Sequence, residues 1–197
     1  MKKIYYLIPF FIILFSVNIL IFNESFYLDH NSGVNFYEEE VGNLLGYFSG
    51  GELNEERYSV EEVIHLKDVR NIIYVDIGLA CLFFILISFG LYKSKKSDFK
   101  EIFLKGGAYG IGLSLLISFL FVNFSLGFKW FHKILFRNGY WILPADSTLI
   151  QMFPESFFIS ASLRIVLYSL IFSSLLLIIS RYLQGDKNDR TKKSYNL

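Results

Sequence analysis

Four stretches of this chain, residues 4–22, 71–92, 106–126 and 157–180, are apolar over lengths near the roughly 20 helical residues that cross about 30 Å of hydrocarbon. Nothing else in the sequence constrains the fold as strongly, because a backbone in lipid must satisfy its own hydrogen bonds and a helix does so within one segment. The expected fold class is all-α integral membrane, a four-transmembrane-helix bundle with a small extracytoplasmic cap. Composition agrees, with 53% hydrophobic residues, 19% aromatic residues and only 3 prolines. The first stretch follows Lys2 and Lys3 as in a signal peptide. Its apolar run exceeds the usual core of about 7–15 residues and no A-x-A site follows, so a retained anchor is expected.

Lysines and arginines near a span resist translocation, and they set its orientation. Lys2, Lys3, Lys93, Lys95, Lys96, Lys100, Lys105, Arg181, Lys187, Arg190, Lys192 and Lys193 fall on one side, which places both termini in the cytoplasm. Residues 184–197 read as a disordered cytoplasmic tail. The acidic connection 23–70 and the connection 127–156 then face outward, and chemistry belongs there. A net charge of +1 gives no field for nucleic acid, and no basic stretch is interleaved with aromatics at a binding spacing. Cys81, the single cysteine, lies in an apolar run and reads as a small buried hydrophobe.

In the first connection Gly50 and Gly51 mark a turn, and Ser59 with Glu62 three residues on is a capping-box signature. A helix is expected from Val60 through Tyr92, since a glycine such as Gly78 is tolerated in a membrane span. Residues 23–58 suit either short strands or a small amphipathic helix around residues 37–48, forming a cap over the outer cavity. On one long helix, His65, Asp68, Ile72 and Asp76 stay within about 60° of one another. In the third stretch Gly106, Gly110 and Ser114 recur every four residues, a spacing that lets helices approach closely in lipid. Asp76 and Arg164 lie at matching depths below the outer ends of their spans. An ionisable group there costs at least about 2.5–3.5 kcal/mol, so the two are expected to pair.

The second outward connection suits the headgroup level. Trp130, Tyr140 and Trp141 fit an interfacial belt, and Lys129, Lys133 and Arg137 recur every four residues on one face of a short helix, where they meet phospholipid phosphates. Asn138-Gly139 is a turn, and Asp146 or Ser147 caps a short helix that ends before Pro154. His65 and His132 stand outside the second and third spans at similar heights, each near an aspartate in sequence. His30 lacks that context and reads as structural.

Glu62, His65, Asp68 and Val69 form the pattern E..H..DV, and Phe131, His132, Phe136, Asn138, Trp141, Pro144, Asp146, Leu149, Ile150, Pro154, Phe157 and Phe158 form FH...F.N..W..P.D..LI...P..FF. Together they resemble the DUF1461 family of four-span membrane proteins over nearly the whole chain. That family includes the lipoprotein intramolecular transacylase of some Gram-positive bacteria. The resemblance implies an acyltransferase that moves the sn-2 acyl chain of a diacylglyceryl-cysteine to its own α-amino group, giving lyso-form lipoprotein. The implied partner is a diacylglyceryl-modified lipoprotein N-terminus in the phospholipid bilayer, and no cofactor or metal is implied. The implied location is the cell membrane, multi-pass, with the active site extracytoplasmic. The matching polar residues are His65, Asp68, His132, Asn138 and Asp146.

Such a reaction needs no protein nucleophile, and neither a G-x-S-x-G elbow nor a reactive cysteine occurs in an outer segment. It needs a base for an ammonium of pKa about 8, which neutral His65 or His132 supplies. The other histidine or Arg164 is expected to stabilise the oxyanion, with Asp68 and Asp146 holding the ring tautomers. Two other readings use the same residues. In one, His65, Asp68, His132 and Asp146 ligate a metal in a membrane hydrolase. In the other, the chain is a non-catalytic four-span scaffold.

Overall fold

The computed structural model describes residues 2–120 and 123–195, with side chains for 3–119 and 123–183. All its regular elements among these residues are helices: a 3₁₀ turn at Lys2–Tyr6, then α1 (Ile8–Ile21), α2 (Glu24–Leu28), α3 (Tyr37–Phe48), α4 (Val60–Lys93), α5 (Lys96–Leu120), α6 (Phe124–Leu135), α7 (Thr148–Met152) and α8 (Glu155–Tyr195). Val60–Lys93, Lys96–Phe119 and Glu155–Leu183 are each long and apolar enough to cross a membrane. Their outward faces are apolar too: Ile85 is 62% exposed and Leu163 61%, the reverse of a water-soluble surface.

The first apolar stretch is divided. Pro9 falls in the first turn of α1, where its missing N–H is not needed, and the residues before it take the tighter 3₁₀ form. The 14 residues of α1 rise about 21 Å, less than one hydrocarbon thickness. The third stretch is also placed differently from the expected 106–126. Its helix starts at Lys96, and Asn123 opens a new one by accepting from the Leu126 N–H at 3.2 Å. Residues 37–48 form the amphipathic helix α3, the helical alternative. The backbone of α8 continues to Tyr195, where composition pointed to a disordered tail; extending an existing helix costs little per residue, and no proline stops it. Cys81 is exposed on α4 rather than buried in protein, because its apolar run faces outward.

The chain divides into two compact units. One comprises Met1–Ser16, Gly78–Ser118 and Ile165–Leu197. A Cβ added to Gly106 would meet the Ile8 side chain at 2.7 Å, and one at Gly107 would meet the Ser173 carbonyl oxygen at 2.7 Å. The small-residue repeat therefore does pack helices closely. The other unit comprises Val17–Ile77 and Phe119–Arg164. Its core joins Tyr37, Val41 and Leu44 of α3, Leu66 and Ile73 of α4, and Leu149 and Met152 of α7. Gly50, at φ 108°, makes the turn after α3.

α4 opens with the expected capping box. The Ser59 N–H donates to Glu62 Oε2 at 2.8 Å and the Glu62 N–H donates to Ser59 Oγ at 3.2 Å. The other Glu62 oxygen accepts the Leu149 N–H at 2.8 Å, so one carboxylate caps both α4 and α7. Ser147 holds the N-cap position of α7 without a side-chain capping bond; neither it nor Asp146 does that work. The expected pairing of Asp76 with Arg164 does not occur. Asp76 accepts from the Asn18 amide, and Arg164 lies 3.6 Å from Asp29 and over the Phe26 ring. Matching depth says nothing about azimuth, and helix rotation gave each group another partner.

Candidate active site

α4 carries His65 one turn past its capping box, and α6 carries His132 near its end. The two ring centroids are 6.1 Å apart. Aromatic rings enclose them. Phe136 lies 4.9 Å from His65 and 5.3 Å from His132, Phe128 lies 4.1 Å from His132, and Trp141 lies 5.0 Å from it. Phe128 and Phe136 flank His132 at i−4 and i+4, the helical spacing that stacks neighbours on one face, although Phe136 lies just past the end of α6. That periodicity is visible in the sequence, where Phe128, His132 and Phe136 recur every four residues.

Burial sets the protonation of both rings. His65 is pushed down to about 4 by desolvation and by the nearby His132, against a smaller opposing pull from Asp68. His132 is also lowered by desolvation, but its hydrogen bond to the Phe128 carbonyl partly restores it. Both imidazoles are neutral near pH 7. The Phe128 carbonyl can only accept, so His132 Nδ1 carries the proton at 2.8 Å and Nε2 is left as a basic lone pair. Nδ1 of His65 is buried with no hydrogen-bond partner.

Neither aspartate orients a histidine ring. Asp68 Oδ2 accepts from the Asn138 amide at 2.7 Å, while Asn138 Oδ1 accepts the Tyr140 N–H at 3.1 Å in the expected turn. The Asp146 carboxylate makes no hydrogen bond or ion pair among the described residues; its backbone carbonyl accepts from Gln151. A backbone carbonyl took the role assigned to Asp146, since a helical histidine reaches its own i−4 oxygen without any loop. Arg164 is engaged with Asp29 and Phe26, and among the described residues it makes no hydrogen bond or ring contact with His65 or His132. Among the described residues no three His, Cys, Asp or Glu side chains gather as a metal site would require, so His65, Asp68, His132 and Asp146 do not form the alternative ligand set. Asp76 sits with Asn18, apart from this cluster's bonds.

The interfacial residues divide in two. Trp130 is exposed with Lys133 5.4 Å above its ring, Lys129 and Tyr140 are exposed, and Trp141 turns to His132. Arg137 falls beyond the end of α6 at Leu135, so the expected three-residue basic stripe is reduced to Lys129 and Lys133 on that helix. His30 bonds the Phe26 carbonyl at 2.7 Å and packs on Phe157, a structural arrangement.

Residues 3–158 match the family described as lipoprotein intramolecular transacylase Lit. Among solved structures, the membrane-integral lipoprotein intramolecular transacylase Lit from Bacillus cereus is 26% identical, with 94% of each chain covered and a TM-score of 0.83. A second structure of that protein, carrying a histidine-to-arginine mutation, is 24% identical with 95% and 91% covered and a TM-score of 0.80; at that identity it speaks for the fold alone. A third, carrying a histidine-to-alanine mutation, is 25% identical with 94% and 92% covered and a TM-score of 0.65. No curated protein matches the chain in sequence.

Proposed function

Because the chain belongs to the Lit family of lipoprotein intramolecular transacylases, we propose that His65 and His132 are the pair that carries its acyl transfer. The protein is a membrane acyltransferase acting on lipoprotein. The substrate of this reading is a diacylglyceryl-cysteine N-terminus. Its α-amine attacks the sn-2 ester carbonyl, the C–O bond to glycerol breaks, and an amide and a free glyceryl hydroxyl result. From the neutral amine, one proton leaves the nitrogen and one reaches the departing oxygen, so a single site that takes and returns a proton suffices for the transfer itself, the ammonium having first released its extra proton to water.

His132 suits that site better than His65. Its Phe128 bond fixes the tautomer with Nε2 free, and that bond offsets part of the desolvation. His65, pushed to about 4, is too weak a base near neutrality but is a neutral ring that can donate to the developing oxyanion. Charge on His132 further disfavours charge on His65, so the pair holds one proton at a time. Intramolecularity supplies much of the rest, since both reacting groups arrive on one molecule. The observation that carries the reading is the pair of neutral imidazoles 6.1 Å apart in an aromatic nest.

In this reading the divided first stretch is the fourth crossing, both termini are cytoplasmic, and the histidines face the extracytoplasmic side of the cell membrane. Glu55→Cys should then react with an impermeant thiol reagent on intact cells, and protection there would reverse the orientation. Mass spectrometry of N-terminal lipopeptides tests the chemistry in a host lacking other N-acylation. Expression of the protein should yield lyso-form lipoprotein. His132→Ala should lower the rate about 10²–10⁴-fold, the usual range for a lost general base, and His65→Ala should also be severely impaired. Full conversion by both variants would sink the assignment.

A further inference from the structure

We propose that Asp68, held by Asn138 beside His65, is the seat of the substrate's α-ammonium group, an inference that rests on the transacylase reading above. Asp68 stands three residues after His65 on α4, a spacing that brings side chains within about 5–6 Å at Cβ.

The site's carboxylates have been used differently. Glu62 is 2% exposed and both its oxygens are taken, by Ser59 and Leu149 backbone donors. Asp68 is half-buried, and its one hydrogen bond is from Asn138 to Oδ2. Among the described residues Oδ1 has no hydrogen bond, and neither oxygen has an ion pair. It is not a tautomer holder: His132 spends Nδ1 on a backbone carbonyl, and Nδ1 of His65 is unpartnered. A carboxylate with one oxygen fixed and the other unbonded, one helical turn from His65, is a ready acceptor for a cation.

The substrate brings that cation. A diacylglyceryl-cysteine N-terminus is apolar around its reacting centre apart from one ammonium of pKa about 8. Seated on Asp68 it remains R–NH3⁺ and forms no covalent bond to the protein. One ammonium proton passes by way of a neighbouring neutral imidazole to bulk water, the free amine attacks, and the second nitrogen proton is the one handed to the departing glyceryl oxygen, so each turnover releases one proton. Asn138 fixes the carboxylate by occupying one oxygen, and its own carbonyl is pinned by the Tyr140 N–H, so the other oxygen is available to the ligand. Pairing with a carboxylate raises the ammonium pKa while burial lowers it, so seating need not prevent deprotonation.

The test is binding without turnover. Dialkyl-ether lipopeptides cannot transfer an acyl chain, and one with a free α-amine is compared with its des-amino analogue in nanodiscs. Wild type should prefer the amine about tenfold or more, as a charge-assisted contact predicts. Asp68→Asn should erase that preference while binding the des-amino compound as before, and Asp68→Glu should retain part of it. A preference that survives in Asp68→Asn, equal loss of both compounds in that variant, or no preference in wild type would each overturn the proposal. Conversion of the ester-linked diacyl lipopeptide by wild type is measured alongside. Failure there removes the transacylase reading itself, whatever Asp68 binds.

Discussion

The two units of the chain are held together by opposite means. In the one built from Met1–Ser16, Gly78–Ser118 and Ile165–Leu197, helices are packed by the smallness of what lies between them. Gly106, Gly107 and Gly110 leave no room for a Cβ beside Ile8 and Ser173. Ser16, Ser114 and Ser169 are fully buried and return their hydroxyls to carbonyls one turn back. In the unit built from Val17–Ile77 and Phe119–Arg164, polar groups join segments far apart in sequence: Glu62 to Leu149, Asn138 to Asp68, Tyr58 to Glu40. Lipid is as apolar as leucine, so burying leucine there gains little and close contact must supply the attraction. Where short helices and loops expose backbone ends, each N–H needs an acceptor, and carboxylates supply it.

If that contrast is right, steric change should break the first unit and polar change the second. The largest effect is expected from Gly107→Leu. Its side chain meets the Ser173 backbone carbonyl, which cannot swing aside, so loss of several kcal/mol or failure to fold should appear in detergent thermal unfolding. Gly112 on the same helix has open space around its Cβ position, and Gly112→Ala should instead gain up to about 1 kcal/mol from helix propensity. Equal outcomes for the two glycines would break the comparison.

Next in size is Glu62→Gln. A glutamine has one acceptor oxygen, so one of the Ser59 and Leu149 N–H groups would face an amide donor at a cost of about 1–3 kcal/mol. Stability should fall and lipopeptide conversion should drop about tenfold with both histidines intact, because Glu62 ties the segment after Trp141 to the helix that bears His65. Glu61→Gln, at an exposed position, serves as the control and should change neither.

The last expected effect is a pH dependence that arises in the second unit. His65 titrates at about 4 when folded against an ordinary value of 6.5, so between those values the unfolded chain binds a proton that the folded one refuses. Stability should therefore be unaffected by this group above pH 6.5, fall progressively on acidification, and level off near pH 4. Thermal midpoints of wild type and His65→Gln at pH 7.5 and 5 check the sign: the variant should lose less on acidification. An equal or larger loss in the variant would contradict it.

Much of this could be read along the chain. The start of α4 at Val60, its continuation through the apolar stretch, the glycine turn at Gly50 and the glycine repeat of α5 all depend on residues within a few positions of one another. The histidine pair was legible because each ring stands just outside an apolar span, and the spans fix their heights. Other features were not legible, for one shared reason. Asp76 chose Asn18 rather than Arg164, Glu62 reached Leu149 as well as Ser59, and Asp68 was taken by Asn138 instead of a ring nitrogen. Each is a choice among partners at similar depth, and local spacing carries no information on which faces a given side chain.

By itself, then, the sequence determined a membrane-embedded helical chain, the heights of its polar groups and the two histidines that belong together, because hydrophobic length and helical period are local properties. Only the tertiary structure decided the rotation of each helix and the course of residues 136–149. Those set which histidine has a fixed tautomer and free lone pair, and which carboxylate is left with an oxygen to offer. Azimuth depends on all the neighbours at once, and it is azimuth that divides one set of polar residues into caps, the proposed base and the proposed binding seat.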